Sequence, residues 1–148
     1  MIFNSPKIRI FHLEQDHNSA RFISALSSSI ETTTVSQLEQ WLTNLTTHHG
    51  SVGVLELAHS MPDSEIQRRI NITSRLSQNN LCQSIAIAVT DAEMSQFSKE
   101  LLIYGFARVF CSQLEAADLA KVIAQHRKNV SWPAIPFKKR VAANLPWS

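Results

Sequence analysis

Residues 84–91 read S-I-A-I-A-V-T-D and residues 104–112 read Y-G-F-A-R-V-F-C-S, two short apolar segments separated by a helix-length stretch. Two strands joined by a helix form a β-α-β crossover, the unit from which parallel sheets are built. Strands in such sheets are covered by helices on both faces, so their sequences are continuously apolar rather than alternating. The two segments therefore predict neighbouring parallel strands in an α/β protein.

Three further strand-like segments precede this pair and alternate with helical patterns. The predicted strands cover residues 7–13, 31–35 and 51–57. The spacing of apolar residues predicts helices over 19–28, after Ser36, after Asp63 or Ser64, between the last two strands, and from Ser112 to near Lys128. Five strands alternating with five helices through short connections predict a three-layer, doubly wound, five-stranded parallel sheet.

The predicted helices carry signals at their ends and on their faces. Ser36 with Glu39, and Ser112 with Glu115, match the capping box, in which each side chain satisfies a free amide at the helix start. In the third helix the apolar stripe is predicted to face inward. Its cations are predicted to face solvent: Arg68, Arg69 and Arg75.

The composition is that of one globular domain. The chain has 148 residues, of which 44% are apolar and 18% are charged. No apolar run approaches the roughly 18–20 residues that span a bilayer, and the first residues lack the pattern of a signal peptide. We therefore expect a cytoplasmic protein that does not contact a membrane, with its domain in residues 1–128.

Residues 129–148 form a separate tail that is rich in proline, aromatic and basic residues. Residues 1–120 carry eight basic and twelve acidic side chains, whereas the rest of the chain carries six basic and none acidic. Cations and aromatic side chains together can bind nucleic acid, by contacting phosphates and stacking on bases. Three adjacent cations are a small footprint, so a linker or a docking arm for an acidic protein surface is favoured. The residues concerned are Trp132, Phe137, Lys138, Lys139, Arg140 and Trp147.

Several local matches accompany this order of elements. Thr90 ends the fourth predicted strand, Gly105 stands fifteen residues later with Ala107 close behind, and Met61-Pro62 follow the third strand. With these residues in this order, the chain resembles a response-regulator receiver domain, the CheY-like member of the flavodoxin-like folds, over residues 7–128. The resemblance implies strand order 2-1-3-4-5 and a role in two-component (phosphorelay) signal transduction.

The sequence departs from the receiver pattern where phosphoryl chemistry takes place. A receiver holds Mg²⁺ with acids after its first strand, and it has a nucleophilic aspartate after its third strand and a lysine after its fifth. Here Glu14 matches the first acid and Gln15 replaces the second. No aspartate occurs between Glu56 and Ser60, and Ser112 stands at the lysine position. The predicted degenerate pocket comprises Glu14, Gln15, Glu56, Ala58, His59, Thr90 and Ser112.

A degenerate receiver implies signalling without an enzymatic step. The resemblance implies protein–protein contacts, with a homodimer as the expected form, and no catalytic residue or cofactor. The expected contact face is formed by the fourth helix, fifth strand and fifth helix. Its test residues are Phe97, Leu101, Tyr104, Leu119 and Val122.

Two alternatives use the same edge of the sheet, where open α/β sheets bind ligands. In the first, Glu14 and Asp16, with His59, bind Mg²⁺ or a small ligand, since two carboxylates and an imidazole can ligate a divalent ion. In the second, Glu56 is an atypical phosphoacceptor. Against both stands the simpler interpretation that these residues are solvated remnants of an ancestral pocket.

Overall fold

The structure is a computed structural model that describes residues 8–24, 30–78, 80–111 and 116–131. Its strands are β1 (Arg9–Leu13), β2 (Glu31–Val35), β3 (Val52–Leu57), β4 (Ile85–Thr90) and β5 (Arg108–Cys111). Its helices are α1 (His17–Ser24), α2 (Leu38–Thr47), α3 (Asp63–Gln78), α4 (Ser98–Tyr104) and α5 (Ala116–Asn129). Short 3₁₀ turns over Asn80–Cys82 and Met94–Phe97 precede β4 and α4.

The five strands of the described residues form one parallel sheet in the order β2-β1-β3-β4-β5. This confirms the predicted strand order and fold class. The central strand β3 is buried along its whole length, as expected for a strand covered on both faces. The carboxyl ends of all five strands therefore meet at one edge, where the loops that follow β1, β3 and β4 lie side by side.

Each face of the sheet has its own apolar core. On one face α2, α3 and α4 contribute buried side chains such as Trp41, Leu76 and Leu101. On the other face α1 and α5 contribute Ile23 and Leu119, among others. Removing these apolar surfaces from water is the main favourable term in folding, and it explains why the helices lie on both sides of the sheet.

The approach of α2 to the sheet depends on a glycine in β3. A Cβ atom at Gly53 would collide with the side chains of Trp41 and Leu45. The indole of Trp41 is fully buried, and its Nε1 donates a hydrogen bond to the carbonyl oxygen of Phe11 at 3.1 Å. The glycine thus provides space for the largest buried side chain of this core.

One local prediction is wrong. The N-cap of α2 is Gln37, which makes no side-chain capping bond, and the hydroxyl of Ser36 lies 3.1 Å from Oε1 of Gln40 instead. Because α2 begins at Leu38, Glu39 stands one position too early to complete a capping box with Ser36. The second predicted box, Ser112 with Glu115, lies outside the described residues.

The last helix of the described residues ends close to the predicted domain boundary. The α5 helix ends at Asn129, and the tail from Trp132 onward lies outside the described residues. Within the described ranges, no helix combines the length and the apolar character needed to cross a bilayer.

Candidate functional site

The candidate site lies at the carboxyl edge of the sheet, where three elements supply a buried polar network. The β1–α1 loop supplies Asp16, the end of β3 supplies Glu56, and α3 supplies Arg69. All three residues are buried, with Asp16 and Arg69 almost completely removed from solvent. Because burial of charge is costly without partners, the hydrogen bonds of this network determine what the site can do.

Arg69 and Asp16 form a buried ion pair at the centre of the network. The Nη1 atom of Arg69 lies 2.9 Å from each carboxylate oxygen of Asp16 and 2.9 Å from the carbonyl oxygen of Glu56. Its Nε atom lies 3.4 Å from Oε1 of Glu65, one helical turn earlier on α3. The guanidinium therefore connects α3 to the loop after β1 and to the end of β3.

The Asp16 carboxylate is fully committed to partners inside the protein. Its Oδ2 atom also accepts a hydrogen bond from the backbone amide of Glu56 at 2.9 Å. Burial raises the pKa of Asp16 above its ordinary value. The charge of Arg69, the amide of Glu56 and the hydrogen bond from Arg69 oppose that shift. In the ionised state, these same groups replace the water that the carboxylate would otherwise bind.

The Glu56 side chain points to α1 rather than to the open edge. Its Oε1 atom accepts hydrogen bonds from the backbone amide of Ser19, at 2.7 Å, and from the Ser19 hydroxyl, at 3.2 Å. A carboxylate at a helix start satisfies amides that have no partner within the helix. Glu56 therefore fixes the first turn of α1, and this geometry does not favour it as an atypical phosphoacceptor.

The loops after β3 and β4 are joined through Asp91. Its Oδ2 atom accepts a hydrogen bond from the amide of His59 at 2.7 Å, and its Oδ1 atom accepts one from the amide of Met94 at 2.8 Å. His59 itself is exposed, with Nε2 lying 3.0 Å from Oε2 of Glu93. The imidazole therefore faces the β4–α4 loop and not Asp16.

The predicted metal ligands are not brought together. Asp16 is paired with Arg69, Glu14 is exposed, and His59 contacts Glu93. Within the described part of the chain, no group of three or more His, Cys, Asp or Glu side chains is arranged to hold a metal ion. This geometry does not favour the predicted site of Glu14, Asp16 and His59, because the Arg69 guanidinium takes the place beside Asp16 that a metal ion would need.

The remaining pocket residues are scattered along the edge. Gln15 is exposed and Ala58 is half-buried. The buried hydroxyl of Thr90 donates to the carbonyl oxygen of Phe110 in β5 at 3.1 Å. Ser112 lies outside the described residues, so the side chain at the receiver lysine position has no described contacts.

Arg69 is the functional residue that sequence reasoning missed. Arg68 and Arg75 are exposed, as predicted. Arg69 is buried, so the prediction that it also faces solvent is wrong. Arg69 lies three residues after Ile66 and three before Ile72, on the stripe that packs against the sheet. A charged residue within such a stripe is a signal for a buried ion pair, and Asp16 is its partner.

The expected contact face is only partly exposed. Phe97 and Tyr104 are 45% and 50% exposed. Leu101 and Leu119 are buried at 2% and 1%, and Val122 packs against the α1/α5 core, so these three do not form an open surface. The reason is that Leu101 and Leu119 lie on the inward stripes of α4 and α5. The sequence reasoning missed two exposed side chains, Leu102 at 47% and Ile103 at 83%.

Comparison with known proteins supports the same fold. No family model and no curated protein matches the sequence. A response-regulator receiver domain from Francisella superposes with a TM-score of 0.59 at 15% identity, covering 82% of this chain and 97% of the other. An atypical orphan response regulator, described as having a phosphorylation-independent regulatory mechanism, superposes with a TM-score of 0.56 at 9% identity, covering 82% and 97%. The chain has the receiver-domain fold.

The same fold also occurs outside response regulators. The pilus assembly protein CpaE from Caulobacter crescentus superposes with a TM-score of 0.55 at 12% identity, covering 81% of this chain and 93% of the other. At these identities the comparison identifies the receiver fold and not the partner. The biological role must therefore be argued from the residues at the edge of the sheet and on the surface.

Proposed function

We propose that this chain is a receiver-like signal-transduction module that is not phosphorylated and acts through protein–protein contacts. The observation that carries the proposal is the buried ion pair between Arg69 and Asp16 at the edge where a receiver would handle its phosphoryl group. A phosphoryl group requires a nucleophilic carboxylate and uncommitted cations around it. Here the buried cation already neutralises a carboxylate of the protein.

The chemistry of the neighbouring residues supports the proposal. The chain has no aspartate between Glu56 and Ser60. The Glu56 carboxylate accepts a hydrogen bond from the Ser19 amide, and turning it away to attack a phosphodonor would leave that buried amide without a partner. One protein of the same fold, the atypical orphan response regulator, is described as regulated without phosphorylation. A signalling role without an enzymatic step fits these features.

The protein-binding part of the proposal rests on an exposed apolar surface around α4. We define the α4 surface by Phe97, Leu102, Ile103 and Tyr104, four large apolar side chains that are each at least 45% exposed. All four side chains fall within residues 97–104, and large exposed apolar surface on a folded domain often marks a contact site for another protein. The α4 surface replaces the five-residue face expected from the sequence as the proposed site of contact.

The proposal is tested by incubation with a small phosphodonor and Mg²⁺, followed by intact-mass measurement. We expect no phosphoprotein under conditions in which a receiver that carries the acceptor aspartate is labelled. Labelling that maps to Glu56 or His59 would contradict the proposal. Because the positive control is run in the same mixture, an inactive phosphodonor cannot imitate the expected result.

A further inference from the structure

The strand β2 forms one edge of the sheet and is unusually open. Within the described residues it pairs with β1 and with no other strand. Its first four residues, Glu31 to Thr34, are all exposed. Because successive side chains of a strand point to opposite faces, exposure of all four means that, among the described residues, no element covers either face of this strand along most of its length.

The backbone of β2 alternates between bonded and outward-facing groups. The amide of Glu31 donates to the carbonyl oxygen of Ile8 at 3.0 Å, and the carbonyl oxygen of Val35 accepts from Glu14 at 2.9 Å. In a parallel pairing the residues that bond to the neighbour alternate with residues that face away. The N–H and C=O groups of Thr32 and Thr34 therefore face away from β1, along the edge of the sheet.

Features that commonly protect edge strands are missing from β2. Natural edges are blunted by lysine, proline or a bulge, because unpaired backbone groups otherwise recruit another strand. The five residues E-T-T-T-V contain neither lysine nor proline, and the register to β1 runs without a bulge. Three threonines in succession favour extended structure. The edge is thus suited to receive a further strand.

We propose that two copies of this chain pair through β2, antiparallel about a two-fold axis at Thr33, to form one continuous sheet. This symmetry places Thr32 of one copy opposite Thr34 of the other, so that the outward-facing groups of both residues meet. Residues in such pairs exchange both of their N–H···O bonds. The proposal rests on the β2 edge alone and is independent of the proposed function, because the α4 surface lies toward β5 at the other end of the sheet.

Charge and side-chain chemistry favour a second copy as the occupant. In the symmetric register Glu31 lies opposite Val35 and not opposite another Glu31, so no like charges face each other directly. Thr33 faces Thr33, with Cα atoms about 4.5 Å apart, and threonine pairs are favourable across strands. Residues 132–136 of the tail are poorer occupants, since Pro133 and Pro136 cannot donate to a strand ladder.

The symmetric pairing is tested by opposite charges at its centre. Thr33→Lys and Thr33→Glu each place two like charges opposite each other, and an equimolar mixture of the two variants places opposite charges there instead. By sedimentation velocity we expect dimers for the wild type, association weaker by about tenfold for each variant alone, and recovery of dimers in the mixture. Thr47→Lys, an exposed threonine on α2, serves as the matched control and should dimerise like the wild type.

A second variant separates pairing from folding. Thr32→Pro removes an outward-facing donor while the groups that bond to β1 remain, so the monomer should keep its thermal unfolding transition and lose the dimer. A wild type that stays monomeric at high concentration, or Thr33 variants that dimerise normally, would overturn the proposal. Loss of the dimer with Ile103→Glu, but not with the Thr33 variants, would assign self-association to the α4 surface instead.

Discussion

Replacing Arg69 by methionine tests the buried network most severely. The side chains of Arg69 and Asp16 are 2% and 0% exposed, so the variant leaves a carboxylate buried without its cation. Methionine fills a similar length of space and packs readily in irregular surroundings, so that the loss of charge dominates over the loss of volume. Removing one partner of a buried pair typically costs about 3–5 kcal/mol, and we expect a loss of that size in the free energy of unfolding.

The pH dependence of this loss provides the check on its cause. Burial raises the pKa of Asp16 in the folded state above its ordinary value near 4, which applies in the unfolded state. At a pH between these two pKa values, the folded protein holds a proton that the unfolded chain has released. The contribution of Asp16 to stability is therefore largest below that window and declines as pH rises through it. Without Arg69 the pKa of Asp16 rises further, because its main opposing charge is gone. We therefore expect the deficit of Arg69→Met to be larger when it is measured at pH 8 than when it is measured at pH 5.

The assay is urea unfolding followed by circular dichroism at both pH values, with Asp16→Asn and the double variant completing a cycle. Because an apolar or neutral pair can replace a buried ion pair with little loss, the double variant should be more stable than the sum of the two single losses predicts. A deficit below about 1 kcal/mol for Arg69→Met, or one that does not change with pH, would refute the assignment of Arg69 as the partner of a buried Asp16 charge.

Three substitutions outside the buried pair test other contacts of the fold. Gly53→Ala should destabilise the protein by about 1–3 kcal/mol in urea unfolding, because the added Cβ collides with Trp41 and Leu45; an unchanged midpoint would contradict the close contact. Burial lowers the pKa of His126, and the charge of His49 adds to this shift, so the contribution of His126 to stability is present above about pH 6.5 and is lost as pH falls below it. His126→Gln should therefore make the free energy of unfolding less dependent on pH below about pH 6.5, and an unchanged pH dependence would contradict this role of His126. Ile103→Ser should shorten retention on a hydrophobic resin while changing stability by less than about 0.5 kcal/mol, whereas a large loss of stability would mean that Ile103 is buried.

The architecture was predictable because its signals are local and strong. The apolar runs that became β3 and β4 match buried parallel strands, and the polar breaks between them match the loops. The boundary of β2 was predicted to the residue from its β-branched run. Single helix ends were harder, as at Ser36, since a shift of one residue in the start of α2 changes which side chains can cap it.

The site was less predictable because it depends on contacts between distant residues. Asp16 and Arg69 are 53 positions apart, and no local pattern links them. Arginine is usually found on protein surfaces, whereas position 69 lies on the apolar stripe of its helix. Only the tertiary structure shows whether the side chain is exposed or buried. The same ambiguity explains Leu101, which sequence reasoning assigned to an open face and the structure places in the core.

A phosphoryl mimic shows whether the carboxyl edge of the sheet can still bind a phosphoryl group. Backbone amide chemical shifts would be recorded while Mg²⁺ and beryllium fluoride are added. If Arg69 and Asp16 close this edge, the amide signals of Glu56, His59 and Thr90 should stay in place at concentrations that shift them in a receiver with the acceptor aspartate. Saturable shifts at these residues, lost in Asp16→Asn, would show an open and functional pocket and contradict the account.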